Sequence, residues 1–122
     1  MRLEEMSTPP LAYLGDCVLE LLVREHLVQK GLAKSAQLNK AALSFVTAKA
    51  QAQAMERILP LLTEDELAYF RRGRNMSHSN IPKCATPDEY RAATGMEVLF
   101  AYLHLTHNQD RISELFRIGY EI

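Results

Sequence analysis

Two stretches of this chain are apolar enough to form core helices, yet each holds a carboxylate. Asp16 lies in LAYLGDCVLELLV (11–23) and Glu97 in AATGMEVLFAYL (92–103), and neither stretch contains Lys or Arg. A carboxylate on an apolar helix costs on the order of several kcal/mol unless something compensates it. The compensator can be a basic side chain, a set of hydrogen bonds or a bound cation. Two such acids on two helices can converge on a divalent metal. Alternatively, each is satisfied separately by a nearby Arg, Asn or backbone N–H. Gly15 precedes Asp16, and Gly95 stands two residues before Glu97. A glycine within a helix costs about 1 kcal/mol against alanine. Its presence beside each acid fits a close approach of two helices that brings the carboxylates together.

The rest of the chain frames these helices. With 122 residues it fits one domain spanning 1–122, and 48% apolar content argues for a folded core. The periodicity is helical throughout, with no alternating strand pattern, so the expected class is all-α. Thr8 is placed to cap a first helix running to about Lys30, with Gly31 as its stop. Leu11, Leu14, Val18, Leu21 and Leu22 form its core face. A helical pattern runs from Ala36 to about Leu62 with a break near Val46 and Thr47. Leu38, Ala42, Phe45 and Val46 mark one face of it, and Ala50, Ala54, Ile58 and Leu61 the next. Thr63 with Glu66, and Thr86 with Glu89, read as capping boxes. The first opens a short helix to about Arg72. The second opens a central helix to about Thr106, apolar nearly all round from Gly95. Asn108 is placed to cap a last helix from Gln109 to about Gly119.

Composition removes several function classes. No run is long enough to span a bilayer, and MRLEEMSTPP lacks the apolar segment of a signal peptide. Cys17 and Cys84 have no paired spacing and are expected to be reduced, partly buried thiols of a cytoplasmic protein. His26, His78, His104 and His107 are scattered and form no zinc pattern. The net charge is only −1. Residues 71–83, RRGRNMSHSNIPK, nevertheless carry Arg71, Arg72, Arg74 and Lys83 and no acid. Gly73 to Ala85 reads as a long loop of functional character. A basic segment without aromatics suits phosphate contact and duplex shape better than base stacking. Lys40, Lys49 and Arg91 are further candidates for the same role. Oxygen donors without thiolate or His select hard cations, magnesium or manganese, which serve phosphoryl chemistry. Glu20, four after Asp16, is a candidate third ligand. It also stands four before Arg24, the favourable order for an exposed ion pair, and the pair is the preferred reading.

At YLGDCVLE the sequence resembles the ribonuclease III family, whose Leu-Gly-Asp segment carries a catalytic acid. The matching stretches are LAYLGDCVLELLVREHL (11–27), FVTAKAQA (45–52), RRGRN (71–75) and YRAATGMEVLFAYLHL (90–105). Their order and the chain length resemble the short Mini-ribonuclease III branch, which lacks a double-stranded RNA-binding domain. The resemblance implies an all-helical, dimeric endonuclease that cleaves double-stranded or structured RNA with magnesium. It further implies maturation of the large-subunit (23S) ribosomal RNA precursor. By the same resemblance Asp16 and Glu97 are the catalytic and metal-binding acids. Longer family members carry a Glu where this chain has Ala12 and an Asp where it has Thr94. That thinning keeps open a non-catalytic module of the same fold that binds RNA or a ribosomal protein partner. An all-helical nucleotide pyrophosphohydrolase is a further alternative, but it would need more clustered acids.

Overall fold

Helix α5 (Pro87–Leu105) is the element around which the others pack. Ala93 to Met96, Val98 to Ala101 and Leu103 are all buried on it. Its start is set locally. The Thr86 hydroxyl accepts the Glu89 N–H at 3.1 Å, and the Glu89 carboxylate accepts the Thr86 N–H at 3.0 Å. Pro87 follows, where its missing N–H does no harm. The computed structural model describes residues 2–77 and 84–122. Lys83 lies outside the described residues.

Three helices lie directly on α5: α1 (Thr8–Gln29), α3 (Ala48–Ile58) and α4 (Glu64–Arg74). Helix α2 (Ser35–Val46) packs on α1, and α6 (Gln109–Tyr120) packs on α3. The described residues contain no strand, in agreement with the all-α expectation. The core joins Val18, Leu19, Val23 and Leu27 of α1 to Ala54, Met55 and Ile58 of α3, Phe100 and Leu103 of α5 and Leu115 and Phe116 of α6. Truncating a ring such as Phe100 in a core of this kind costs about 3–5 kcal/mol.

Two crossings bring backbone against backbone. A Cβ added at Gly15 would collide with the main-chain carbonyl of Glu97. One added at Gly73 would stand 2.6 Å from the Thr94 carbonyl oxygen and 2.7 Å from the Gly95 Cα. Gly95 in turn lies under the Phe70 ring, 2.6 Å from where its own Cβ would be. Glycines therefore let α1 and α4 both sit on α5 at contact distances that other residues forbid.

The helix break expected near Val46 is present. Thr47 leaves the helix at φ −69°, ψ 152°, and its hydroxyl accepts the Ala50 N–H at 3.2 Å as the cap of α3. Helix α6 clamps both sides of this joint. The Tyr120 hydroxyl donates to the Phe45 carbonyl at 2.7 Å, and Arg57 donates to the Gly119 carbonyl at 2.8 Å.

Several expectations need correction. Ser7, not Thr8, holds the cap position of α1 without a side-chain capping bond, and the Thr8 hydroxyl accepts from Arg72 instead. Leu21 and Leu61 are exposed; the buried stripe of α3 is Gln51, Ala54, Met55 and Ile58. Asn108 holds the cap position of α6 but its amide donates to Thr106 rather than to the helix. Helix α4 continues past Gly73 to Arg74, so Arg74 joins Arg71 and Arg72 in its last turn and does not belong to a loop. Packing of Gly73 on α5 offsets the helical penalty of glycine there. Cys17 and Cys84 are both exposed free thiols. No helix among the described residues is long and apolar enough to cross a membrane.

The buried Glu66 shows how the fold handles a charge outside the site. Its carboxylate accepts two hydrogen bonds from Arg111, at 2.8 and 2.9 Å, and the Thr63 N–H at 2.9 Å. Arg111, followed by these other donors, holds the Glu66 carboxyl below the usual range against the opposing effect of burial. Arg111→Ala should cost about 3 kcal/mol at neutral pH by leaving a buried carboxylate uncompensated. A group with a lowered folded pKa contributes stability above its unfolded value of about 4.3 and loses it as pH falls through the folded one. The difference between wild type and variant in urea unfolding should therefore narrow below about pH 4.

Candidate active site

Gly15 puts the backbone of α1 against that of Glu97, and Asp16 is the next residue along. The crossing that glycine permits thus sets the Asp16 and Glu97 side chains within hydrogen-bonding reach of each other. Their convergence across two helices was an expectation of the sequence; separate satisfaction by Arg or Asn is not what the fold provides. Among the described residues neither acid forms an ion pair with a Lys or Arg. Burial, then the charge of Asp16 and the hydrogen bond between them, push the Glu97 carboxyl up to about 8. At neutral pH Glu97 therefore keeps its proton.

This is a donor set that suits a hard divalent cation. Two carboxylates sharing a proton can exchange it for a metal ion, and oxygen ligands match magnesium or manganese. Among the described residues no group of three His, Cys, Asp or Glu gathers at one place. Water would have to complete the shell. Ala12 is buried against Val98, and the Thr94 hydroxyl donates to the Tyr90 carbonyl at 3.0 Å, so neither position adds a carboxylate. Glu20 pairs with Arg24 at 2.8 Å and does not join the acids.

The acids open onto a cleft of about 470 Å³, walled on the far side by Thr47, Lys49 and Gln51 and closed by Cys84, Tyr90 and Thr94. Of the basic candidates among the described residues, only Lys49 lines it. Arg74 and Arg91 line a second cleft of about 640 Å³ with Asn75 and Asp88. Arg71 is exposed on α4, and Lys40 is exposed on α2 away from both clefts. Arg72 is engaged within the chain. It donates to the Met6 carbonyl at 2.6 Å and the Thr8 hydroxyl at 3.3 Å, and its guanidinium lies over the Tyr69 ring.

Sequence reasoning singled out Lys49 in the first turn of α3 but passed over Gln51. A signal was present. Gln51, Ala54, Met55 and Ile58 recur at helical spacing, and a glutamine at the head of a buried stripe is out of place unless it faces something polar.

Comparison with known proteins agrees with this geometry. The Ribonuclease III domain family matches residues 10–108. A Mini-ribonuclease 3 of Symbiobacterium thermophilum is 43% identical, over 92% of this chain and 88% of its own. A Mini-ribonuclease 3 of Brevibacillus brevis is 40% identical, over 100% of this chain and 96% of its own. The crystal structure of a Fusobacterium nucleatum protein superposes with a TM-score of 0.86 at 28% identity, covering 96% of this chain and 93% of that one. With an all-helical fold and a match over most of its length, the chain belongs to the ribonuclease III family, in its Mini-ribonuclease 3 branch.

Proposed function

We propose that this endoribonuclease hydrolyses phosphodiesters of double-stranded or structured RNA at the Asp16–Glu97 pair, with magnesium, or manganese in its place. One observation carries the reading: two carboxyl groups from different helices share a cleft with no basic partner among the described residues. When bound, the cation supplies charge neutralisation and a means of activating water next to a phosphate. The protein's part is to hold the donors. Backbone contact at Gly15 fixes the spacing of the acids, so loading requires only that Glu97 release its proton. No side chain of the cleft need act as base. Arg74 and Arg91, with Arg71 beside them, suit phosphates further along the duplex. Membership of the branch favours precursor 23S ribosomal RNA as substrate, and hence a cytoplasmic role in ribosome assembly with a ribosomal protein as partner.

A homodimer is part of this proposal. Tyr13 is 86% exposed, Leu21 58% and Leu43 59%, and Val28 is exposed between them. These side chains lie on α1 and α2, and Tyr13 and Leu21 border Asp16. An apolar face of this kind fits a second copy, which would set two cleft openings about a two-fold axis across a duplex.

Asp16→Asn and Glu97→Gln should each abolish cleavage of duplex RNA while circular dichroism stays helical. Near-normal turnover of either variant at saturating magnesium would remove the acid from the site. Glu97→Gln also has a thermal signature. A raised folded pKa means stability is full below about pH 4.3 and is lost progressively as pH rises towards about 8. In chelator at pH 8.5 the amide variant should therefore melt higher than wild type. Added magnesium should raise the melting temperature of wild type but not of the variant.

Leu21→Glu with Leu43→Glu should give a folded monomer by sedimentation velocity at micromolar concentration, where wild type sediments as a dimer. A monomeric wild type would count against the assembly.

Arg71→Ala, Arg74→Ala and Arg91→Ala together should flatten the salt dependence of duplex RNA binding in calcium. By analogy with DNA, each lost phosphate contact lowers the log–log slope by about 0.7 to 0.9. An unchanged slope would show that these arginines do not meet phosphate.

A further inference from the structure

The wall of the cleft opposite the acids carries polar groups that the fold leaves unused. Thr47, Ala48, Lys49 and Gln51, the first turn of the eleven-residue helix α3, line the same space as Asp16 and Glu97. The first N–H groups of a helix have no intrahelical acceptor. Here the Thr47 hydroxyl takes the Ala50 N–H, and the Thr47 carbonyl takes the Gln51 N–H at 2.9 Å. The N–H groups of Ala48 and Lys49 meet no acceptor among the described residues. An open helix start of this kind is ordinarily satisfied by water and by itself points to nothing.

Gln51 points to a ligand. It is 7% exposed, one of three buried polar or charged side chains among the described residues with Glu66 and Thr94. Glu66 is bound by Arg111, and Thr94 by its own helix. The Gln51 carboxamide makes no hydrogen bond to the protein. The amide gains no bond from the protein, and leucine would continue the stripe of Ala54, Met55 and Ile58 with more apolar burial. Its polar atoms are not sealed in either. Among the described residues the one sealed, unpartnered side-chain polar atom is Nε2 of His26. The small exposed part of Gln51 is therefore its polar end, at the cleft.

We propose that the first turn of α3 is a phosphate site. The Ala48 and Lys49 N–H groups, the Lys49 ammonium and the Gln51 amide N–H hold the non-bridging oxygens of an RNA phosphate presented to Asp16 and Glu97. The site rests on the RNA-cleaving reading above and completes its charge balance. A phosphodiester entering beside two carboxyl groups needs positive potential on the far wall, which the α3 N-terminus and Lys49 provide. A neutral donor at position 51 serves better than Arg or Lys, because a buried cation there would pair with the acids and close the cleft.

The test uses the full chain and three variants: Gln51→Leu, Gln51→Glu and, as an exposed substitution that leaves the core intact, Lys49→Met. Inorganic phosphate is titrated while amide resonances are followed by NMR, and cleavage of duplex RNA is measured with magnesium. Phosphate should shift the Ala48 and Lys49 backbone amides and the Gln51 side-chain amide. Gln51→Leu should weaken this binding at least about tenfold and lower kcat/KM by about 10- to 100-fold, with an unchanged or higher melting temperature. Gln51→Glu should be worse than Gln51→Leu, because its carboxylate repels phosphate, and Lys49→Met should lose several-fold. Phosphate shifts confined to other residues would overturn the site. So would a Gln51→Glu variant that cleaves as well as wild type and binds magnesium more tightly, since Gln51 would then face the cation. If RNA is cleaved and Gln51→Leu makes no difference, the phosphate site falls while the activity stands. If phosphate binds at α3, sensitive to Gln51→Leu, but no duplex RNA is cut, the site stands and the cleavage reading falls.

Discussion

The contact between the Gly15 backbone and the Glu97 carbonyl determines most of what this molecule can do. It fixes the distance between α1 and α5, and with it the backbone positions from which the two carboxyl side chains meet. The same device recurs at Gly73 and Gly95, where α4 meets α5. Helix α5 is thus held on two sides by glycine contacts, and the site sits at one of them.

The strength of this arrangement lies in how differently the fold treats the buried Glu66 and the half-buried Glu97. Glu66 is saturated with donors and contributes only to stability. Glu97 is given a second acid and no basic partner among the described residues, a state that is costly until something cationic arrives. Electrostatic frustration at one point of a well-satisfied core is the physical mark of a site rather than of a packing error.

Much of the architecture was legible in the residues. The glycines beside the acids, both capping boxes and the break at Thr47 each follow from local chemistry that tertiary packing did not override. The convergence of Asp16 with Glu97 was legible because a lone acid on an apolar face demands an explanation. The exposure of Leu21 was not, since periodicity cannot tell a core face from a face that waits for a partner. The helical state of Arg74 was hidden by Gly73, whose meaning depends on a neighbour distant in sequence. Gln51 escaped for a related reason: its stripe is read as core only when all four positions are taken together, and Ala50 offers a plausible rival register.

Helix α6 follows in the chain every element that it clamps. It holds Phe45 just before the Thr47 joint and is itself gripped by Arg57 at the far end of α3. One wall of the cleft is therefore braced from behind by a helix that contributes no residue to its lining. A change in α6 that loosens Tyr120 or the Gly119 carbonyl would be felt at Lys49 and Gln51 through the two ends of this brace, although α6 never meets the substrate side of the cleft.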